Sequence, residues 1–355
     1  MTFDFRQTKS LLDDALEKGC FPGCCFALGD RGGELCRGYG GYRSLIPEKE
    51  PMNAETLFDI ASLTKILAPT MITFKLIEEG RLSLYDKLGL FFDVPEDKQA
   101  VTIFHLMTHS SGIPAHFYLS DECGGPEAVL KAILLHPLSY ETGNEVEYSC
   151  MGYILLGKIL EKVTGKNLKE LSEQYVFGPL DMKDTGYLPS GENIASTEYR
   201  EELGKCLKGV VHDENARFLQ GISANAGVFS NIGDMSRFAL MLANRGFDPI
   251  ANRRFLGERM FERAVRNHTP HLSESRGLGF VVNDFRLSSS GDLFSLGSYG
   301  HTGFTGTSLW VDNDTGFYAV LLTNRVHPDR SNDMVIRIRR LFHNLAMGEY
   351  MSQCK

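Results

Sequence analysis

Apolar positions recur along this chain with two periods, and the period that holds in each stretch sets the element expected there. Between residues 7 and 18 the spacing of Leu11, Leu12, Ala15 and Leu16 predicts an amphipathic helix, closed by Gly19 and the Pro22-Gly23 turn. Residues 24 to 29 and 34 to 42 then read as strands, joined by the hairpin signal Asp30-Arg31-Gly32-Gly33. From Ser62 to Glu79 the apolar series Ile66, Leu67, Met71, Ile72, Phe74, Leu76, Ile77 predicts one continuous helix. A long region of helices and loops follows, with helical pieces at 103 to 108, 127 to 135, 152 to 163, 168 to 175, 235 to 244 and 254 to 264. Strand signals return only near the C-terminus, at 307 to 311 and 317 to 323 around a second hairpin signal at 312 to 316. A last helix is expected from about Asn332 to Ala346.

Strands at both ends with helices between them predict an α/β fold of the α+β kind. One antiparallel sheet is built from the two termini and flanked by terminal helices, and a mostly helical domain is inserted in it. The expected division is residues 1–60 together with 275–355 for the sheet domain and 61–274 for the helical domain, with the active site at their interface. No internal repeat, low-complexity tract or long Gly/Ser linker interrupts this plan.

Composition narrows the class. With 355 residues, 43% hydrophobic and 23% charged, the chain has the balance of a soluble globular protein with a sizeable core. Thirty-seven Lys and Arg against 45 Asp and Glu give a net charge of -8 without runs of one sign, which argues against nucleic acid or an anionic membrane as the main partner. The start Met1-Thr2-Phe3-Asp4-Phe5-Arg6 lacks the basic residues and apolar run of a signal peptide, and no segment is apolar enough to span a bilayer. A cytoplasmic location is therefore expected, or a periplasmic or extracellular one if a native leader was removed. The eight cysteines lack paired metal spacing and read as reduced, mostly buried thiols.

Three stretches carry candidate chemistry. In Ser62-Leu63-Thr64-Lys65 a hydroxyl and an amine stand at i and i+3, neighbours on a helix, and a lysine in an apolar setting can be neutral enough to take the serine's proton. A chain of this length should contain roughly one Ser-x-x-Lys by chance, so the other stretches decide. Tyr148 precedes the helical run from Tyr153 to Leu160, and Tyr299-Gly300-His301-Thr302-Gly303-Phe304-Thr305-Gly306 is a glycine-rich stretch whose backbone can approach a ligand closely. His105 and His109 stand at i and i+4 as in a zinc helix, but Leu106 occupies the place of the glutamate base, so no metal or cofactor is implied.

Taken in order and at these separations, Ser-x-x-Lys, Tyr148-Ser149 and His301-Thr302-Gly303 resemble the serine beta-lactamase and penicillin-binding protein superfamily. The class C beta-lactamase, DD-carboxypeptidase and family VIII esterase branch is most similar. Leu106 to Pro114, Tyr148 to Gly165, Pro179 to Met182, Ala226 to Ser230 and Gly277 to Phe280 resemble further segments of that branch, so the likeness runs from roughly residue 20 to 325. It implies an acylated nucleophile at Ser62, with Lys65 and Tyr148 as the proton-transfer pair, either of them the acylation base. It also implies an oxyanion hole from the backbone N–H groups of Ser62 and Phe304, with His301, Thr302 and Gly303 along the substrate. His301 stands where most beta-lactamases carry lysine, and Cys150 where the family usually has asparagine. A thiol is a weak donor and acceptor, so efficient beta-lactam turnover is not expected; Cys150 is either a small space-filling residue at the substrate site or a reactive thiol beside Lys65.

The segments 211 to 216 and 322 to 328 resemble those of cell-wall recycling amidases that act on muropeptides, where Arg325 binds a substrate carboxylate or forms a structural ion pair. The function expected is a serine hydrolase acting through an acyl-enzyme on an amide or ester, with a small-molecule or peptide partner such as a peptidoglycan fragment. A true beta-lactamase and a non-catalytic penicillin- or muropeptide-binding receptor are the alternatives. The number of subunits is left open.

Overall fold

A computed structural model describes residues 3–286 and 288–354. Helix α1 (Arg6–Glu17) leads into strands β1 (Gly23–Asp30), β2 (Gly33–Ser44), β3 (Glu50–Pro51) and β4 (Phe58–Asp59). Helices α2 (Leu63–Leu67), α3 (Pro69–Glu78), α4 (Ile103–Met107) and α5 (Cys150–Thr164) follow, then strands β5 (Gly186–Tyr187) and β6 (Val228–Ser230) and helix α6 (Ile232–Ala243). Strands β7 (Val281–Val282), β8 (Tyr299–Thr302), β9 (Ser308–Val311) and β10 (Tyr318–Thr323) bring the chain to helix α7 (Val335–Gln353). Shorter helical turns lie between these elements.

The seven-stranded sheet has the order β7-β8-β9-β10-β1-β2-β3 and is antiparallel throughout. The N-terminal hairpin is joined to the C-terminal one, Cys24 opposite Thr323 and Leu28 opposite Ala319, as the strand signals at both ends of the chain predict. Strand β1 is buried on both faces, and successive side chains point to opposite sides. Cys24, Phe26 and Leu28 therefore pack with Trp310 and Phe342 under α1 and α7. Cys25 and Ala27 join Leu309, Val320 and Leu322 in the larger core shared with the helices.

Several expectations are corrected. The helix from Ser62 breaks at Ala68 (φ -96, ψ -82), because Pro69 has no N–H to donate and forces the residue before it out of the helical region; Pro69 then serves as the first residue of α3. Residues 299 to 302, which the strand signals alone did not include, form a strand inside the sheet, with His301 opposite Leu309. A second sheet, β4-β6-β5, lies in the middle of the chain, where strands of two or three residues are too short for a period to register. Residues 168 to 175 divide into a helix at Leu168–Ser172 and a π-turn at Glu173–Phe177. The piece expected at 254 starts at Glu258, because Arg254 pairs with Phe247. Helix α7 continues past Gly348, a stop signal in sequence, because Met347 and Tyr350 are buried against the sheet. Among the described residues no helix is long and apolar enough to cross a membrane.

Phe342, fully buried and 6.1 Å edge-on to Phe26, fixes α7 to the sheet. Phe342→Ala should cost about 3–5 kcal/mol in urea unfolding. Met351→Ala, on the same helix but 51% exposed, should stay within about 0.5 kcal/mol.

Candidate active site

The second sheet sets the position of Ser62. Asp59 pairs with Phe229, and the Ile60 N–H donates to Val228 O at 3.2 Å. Ala61 then takes a left-handed conformation (φ 47) without being glycine, a strain on the order of 1–3 kcal/mol. Asp59 holds it, Oδ1 accepting the Ala61 N–H at 2.8 Å and Oδ2 the His212 N–H at 2.7 Å. Burial pushes the Asp59 carboxyl up to about 6, against these two bonds. The turn after β8 closes over the same segment. Thr305 Oγ1 donates to Asp59 O at 2.7 Å, and Thr307 Oγ1 to Ile60 O at 3.0 Å. Only glycine fits at 303, because a Cβ there would collide with Thr307 Oγ1 and Ile60 O. Among the described residues, neither the Ser62 N–H nor the Phe304 N–H donates to a backbone carbonyl.

Lys65 is completely buried, and its ammonium has three acceptors: Ser62 Oγ at 3.1 Å, Asn225 O at 2.8 Å and Cys150 Sγ at 3.5 Å. It also lies 4.8 Å from the centre of the Tyr148 ring. Burial works against the charge, but the neighbouring Cys150 and Tyr148 outweigh it and hold the amine above the ordinary lysine range. The setting of Lys65 is thus not purely apolar, because it supplies acceptors. Burial pushes the Tyr148 phenol up while Lys65 draws it down.

Two neutral histidines flank Tyr148. His301 Nδ1 bonds to Thr302 O at 2.8 Å, which places its proton there and leaves Nε2 as an acceptor; burial and then the Arg276 charge bring it down to about 3. His109 Nδ1 accepts the Ser149 N–H at 3.0 Å, and its ring lies 4.6 Å from that of Tyr148. Unlike the lysine of most beta-lactamases, His301 brings no positive charge. The charge comes from Arg276, whose guanidinium lies 5.4 Å from the Tyr148 ring centre and pairs with Glu274.

Ser62, Tyr148 and residues 301 to 304 line a cleft of about 400 Å³ that continues past Arg276 to Arg325, Val335, Ile336 and Arg339. Arg325 is 7% exposed and is held by carbonyls rather than by the ion pair considered from sequence, donating to Phe304 O, Arg330 O and Asn332 O at 2.8–2.9 Å. Arg339 donates to Gly303 O at 3.3 Å and, among the described residues, its Nε has no partner; burial and the Arg325 charge bring it down to about 10. Cys150 touches Lys65 and is not among the residues that line this cleft.

Sequence reasoning missed Arg276, Arg339, Asn225 and Asp59. A signal existed for Arg339, which falls in the apolar stripe of Val335, Ile338 and Phe342, where a cation is out of place. The segment around His212 supports the site from behind. His212 stacks on Phe304 at 5.6 Å, its Nε2 lies 3.4 Å from Glu198, and Glu198 also binds Arg330 and Arg200. His105 is occupied in the cap of α4 with Thr102.

This geometry, with serine and lysine on one helical turn, a tyrosine at the head of α5 and a strand ending in His301-Thr302-Gly303, defines a serine acyl-transfer site in a sheet-and-helix fold. The family model described as Beta-lactamase matches residues 8–343, and the chain belongs to that family. It is 28% identical to the N-acetylmuramyl-L-alanine amidase of Bacillus subtilis (strain 168), over 92% of this chain and 82% of that one. It is 31% identical to a protein of Escherichia coli (strain K12) provisionally named D-alanyl-D-alanine carboxypeptidase, over 81% and 73%. The fold matches that of the octameric penicillin-binding protein homologue from Pyrococcus abyssi with a TM-score of 0.74 at 22% identity, covering 95% of this chain and 77% of that one.

Glu198 gives a pH test of the support behind Phe304. Burial pushes its carboxyl up, but Arg330, His212 and Arg200 bring it down to about 2 from the usual 4.5. The folded value lies below the unfolded one, so the stabilisation is complete above pH 4.5 and is lost as pH falls towards 2. Glu198→Gln should lower stability at pH 7 by on the order of 1–2 kcal/mol after solvent screening. In denaturant titrations the gap to the parent should close across that acid window.

Proposed function

We propose that this chain is a serine acyl hydrolase that carries the acyl group of an amide or ester on Ser62, and that its substrate is an anionic peptidoglycan fragment. The observation that carries this reading is the 3.1 Å contact between Ser62 Oγ and Lys65 Nζ at the wall of an arginine-lined cleft. Ser62 attacks the carbonyl carbon, and its proton passes to the Lys65–Tyr148 pair in the form that has already lost one proton, either phenolate beside ammonium or neutral amine beside phenol. The N–H groups of Ser62 and Phe304 receive the oxyanion, each worth on the order of 3 kcal/mol in the transition state. As the tetrahedral intermediate collapses, the pair returns the proton to the leaving nitrogen or oxygen. Water then repeats the sequence and frees Ser62.

Substrate class is argued from charge. Among the described residues Arg325 and Arg339 form no ion pair within 4.0 Å, so an incoming carboxylate would be their first direct partner of opposite charge. The names of the amidase and carboxypeptidase relatives support the same chemistry. Eight free thiols fit a reducing compartment such as the cytoplasm, where recycled fragments would be met. The division at 60/61 and 274/275, with the cleft between a sheet unit and a helical unit, belongs to the same proposal.

The test compares kcat/KM for N-acetylmuramyl-L-alanine, a p-nitrophenyl ester and a chromogenic cephalosporin. Turnover of the first two with poor cephalosporin hydrolysis is expected; cephalosporin hydrolysis near the diffusional ceiling with the others inert would establish a beta-lactamase instead. Lys65→Ala and Tyr148→Phe should each lose nearly as much rate as the double variant, because the pair handles one proton; multiplying losses would separate them. Arg339→Gln should raise KM for acidic fragments by about tenfold or more while leaving a neutral ester unaffected.

A further inference from the structure

Cys150 is a nucleophile that the proposed acyl transfer does not use, and it lies against an amine on which that transfer depends. Its Sγ is 3.5 Å from Lys65 Nζ, and the other two Lys65 contacts, to Ser62 Oγ and Asn225 O, leave the amine directed at the sulfur. Lys65 is fully buried and cannot swing into solvent without breaking all three bonds. Cys150 itself is only partly buried, at the first position of the 15-residue helix α5, so a small oxidant can reach it. Burial pushes up the thiols of Cys24, Cys25, Cys36, Cys123 and Cys206, which favours their unreactive protonated form.

We propose that Cys150 and Lys65 are an oxidation site, at which a peroxide converts the pair into a covalent Sγ–Nζ sulfenamide and so removes the amine from Ser62. In the first step the sulfur gives two electrons to the peroxide O–O bond. The thiol becomes a sulfenic acid and water leaves: R-SH + H2O2 → R-SOH + H2O. In the second, Lys65 loses a proton, its lone pair attacks Sγ, and the S–O bond breaks: R-SOH + R'-NH3+ → R-S-NH-R' + H2O + H+. Two equivalents of a small thiol reverse the bond, returning the cysteine and the amine and leaving the corresponding disulfide. The effect on turnover rests on the acyl-hydrolase reading, whereas the bond itself does not.

The full chain is treated with hydrogen peroxide, quenched with catalase, and followed by ester hydrolysis, intact mass and peptide mapping. The expected result is loss of activity in step with a species about 2 Da lighter, a cross-linked peptide joining Lys65 to Cys150, and recovery of both mass and activity with dithiothreitol. Cys150→Ser and, as a second variant, Cys150→Ala should keep their own starting activity through the same exposure. Cys354→Ser, which removes the exposed thiol, should behave as the parent. Absence of the Lys65–Cys150 peptide in the inactivated protein, or equally fast inactivation of the Cys150 variants, would overturn the proposal. If no ester were turned over, mass and mapping would still decide the cross-link, so the two readings fail separately.

Discussion

A fully buried ammonium is the constraint around which this molecule is organised. Leaving a charge uncompensated in a protein interior costs several kcal/mol, so Lys65 must find acceptors or give up its proton. It finds three, and each comes from a different part of the chain: Ser62 from the turn before α2, Cys150 from the head of α5, and Asn225 from the segment before β6. The same contacts that satisfy the charge bring Ser62, the helix that follows Tyr148 and the back wall of the site together. Asn225 is fixed in turn by Asp213 and Ser223, at 3.0 and 2.6 Å, so the acceptor is held by side chains beyond reach of the cleft.

The two N–H groups proposed as oxyanion donors depend on a second interlock. Ala61 is strained, and the strain persists because Asp59, Thr305 and Thr307 bond to the backbone from Asp59 to Ala61. These bonds tie the Ser62 turn to the turn carrying Phe304, so the two free N–H groups belong to segments that cannot move independently. His212 stacked on Phe304, with Glu198 and Arg330 behind it, extends that rigidity outward. Preorganisation of this kind is what an electrostatic catalyst requires, since donors that had to reorient during reaction would lose most of their effect.

Much of this was legible in the sequence, for identifiable reasons. The two terminal hairpins announce themselves through loop residues and apolar runs, and their union into one sheet follows from having few other strands to pair with. Ser62, Lys65 and Tyr148 were recognisable as a set because their order and separation carry information that each alone lacks. The elements that escaped are those whose cause is tertiary. Strands β4, β5 and β6 are too short to show a period, and the short β8 is masked by Gly300. Arg276 and Arg339 are ordinary letters until folding places them in the cleft. The acceptors around Lys65 could not be read from its own apolar stretch of sequence, because they come from residues 150 and 225.

The claim on which the account stands is that Ser62 becomes covalently acylated during turnover. The direct measurement is intact mass and peptide mapping of protein quenched within the first turnovers of p-nitrophenyl acetate. The account predicts one acetyl group per chain, located on the peptide containing Ser62 and absent from Ser62→Ala. An acetyl group on Cys150, Lys65 or another serine, or product formation without any adduct in a protein that turns over rapidly, would contradict it.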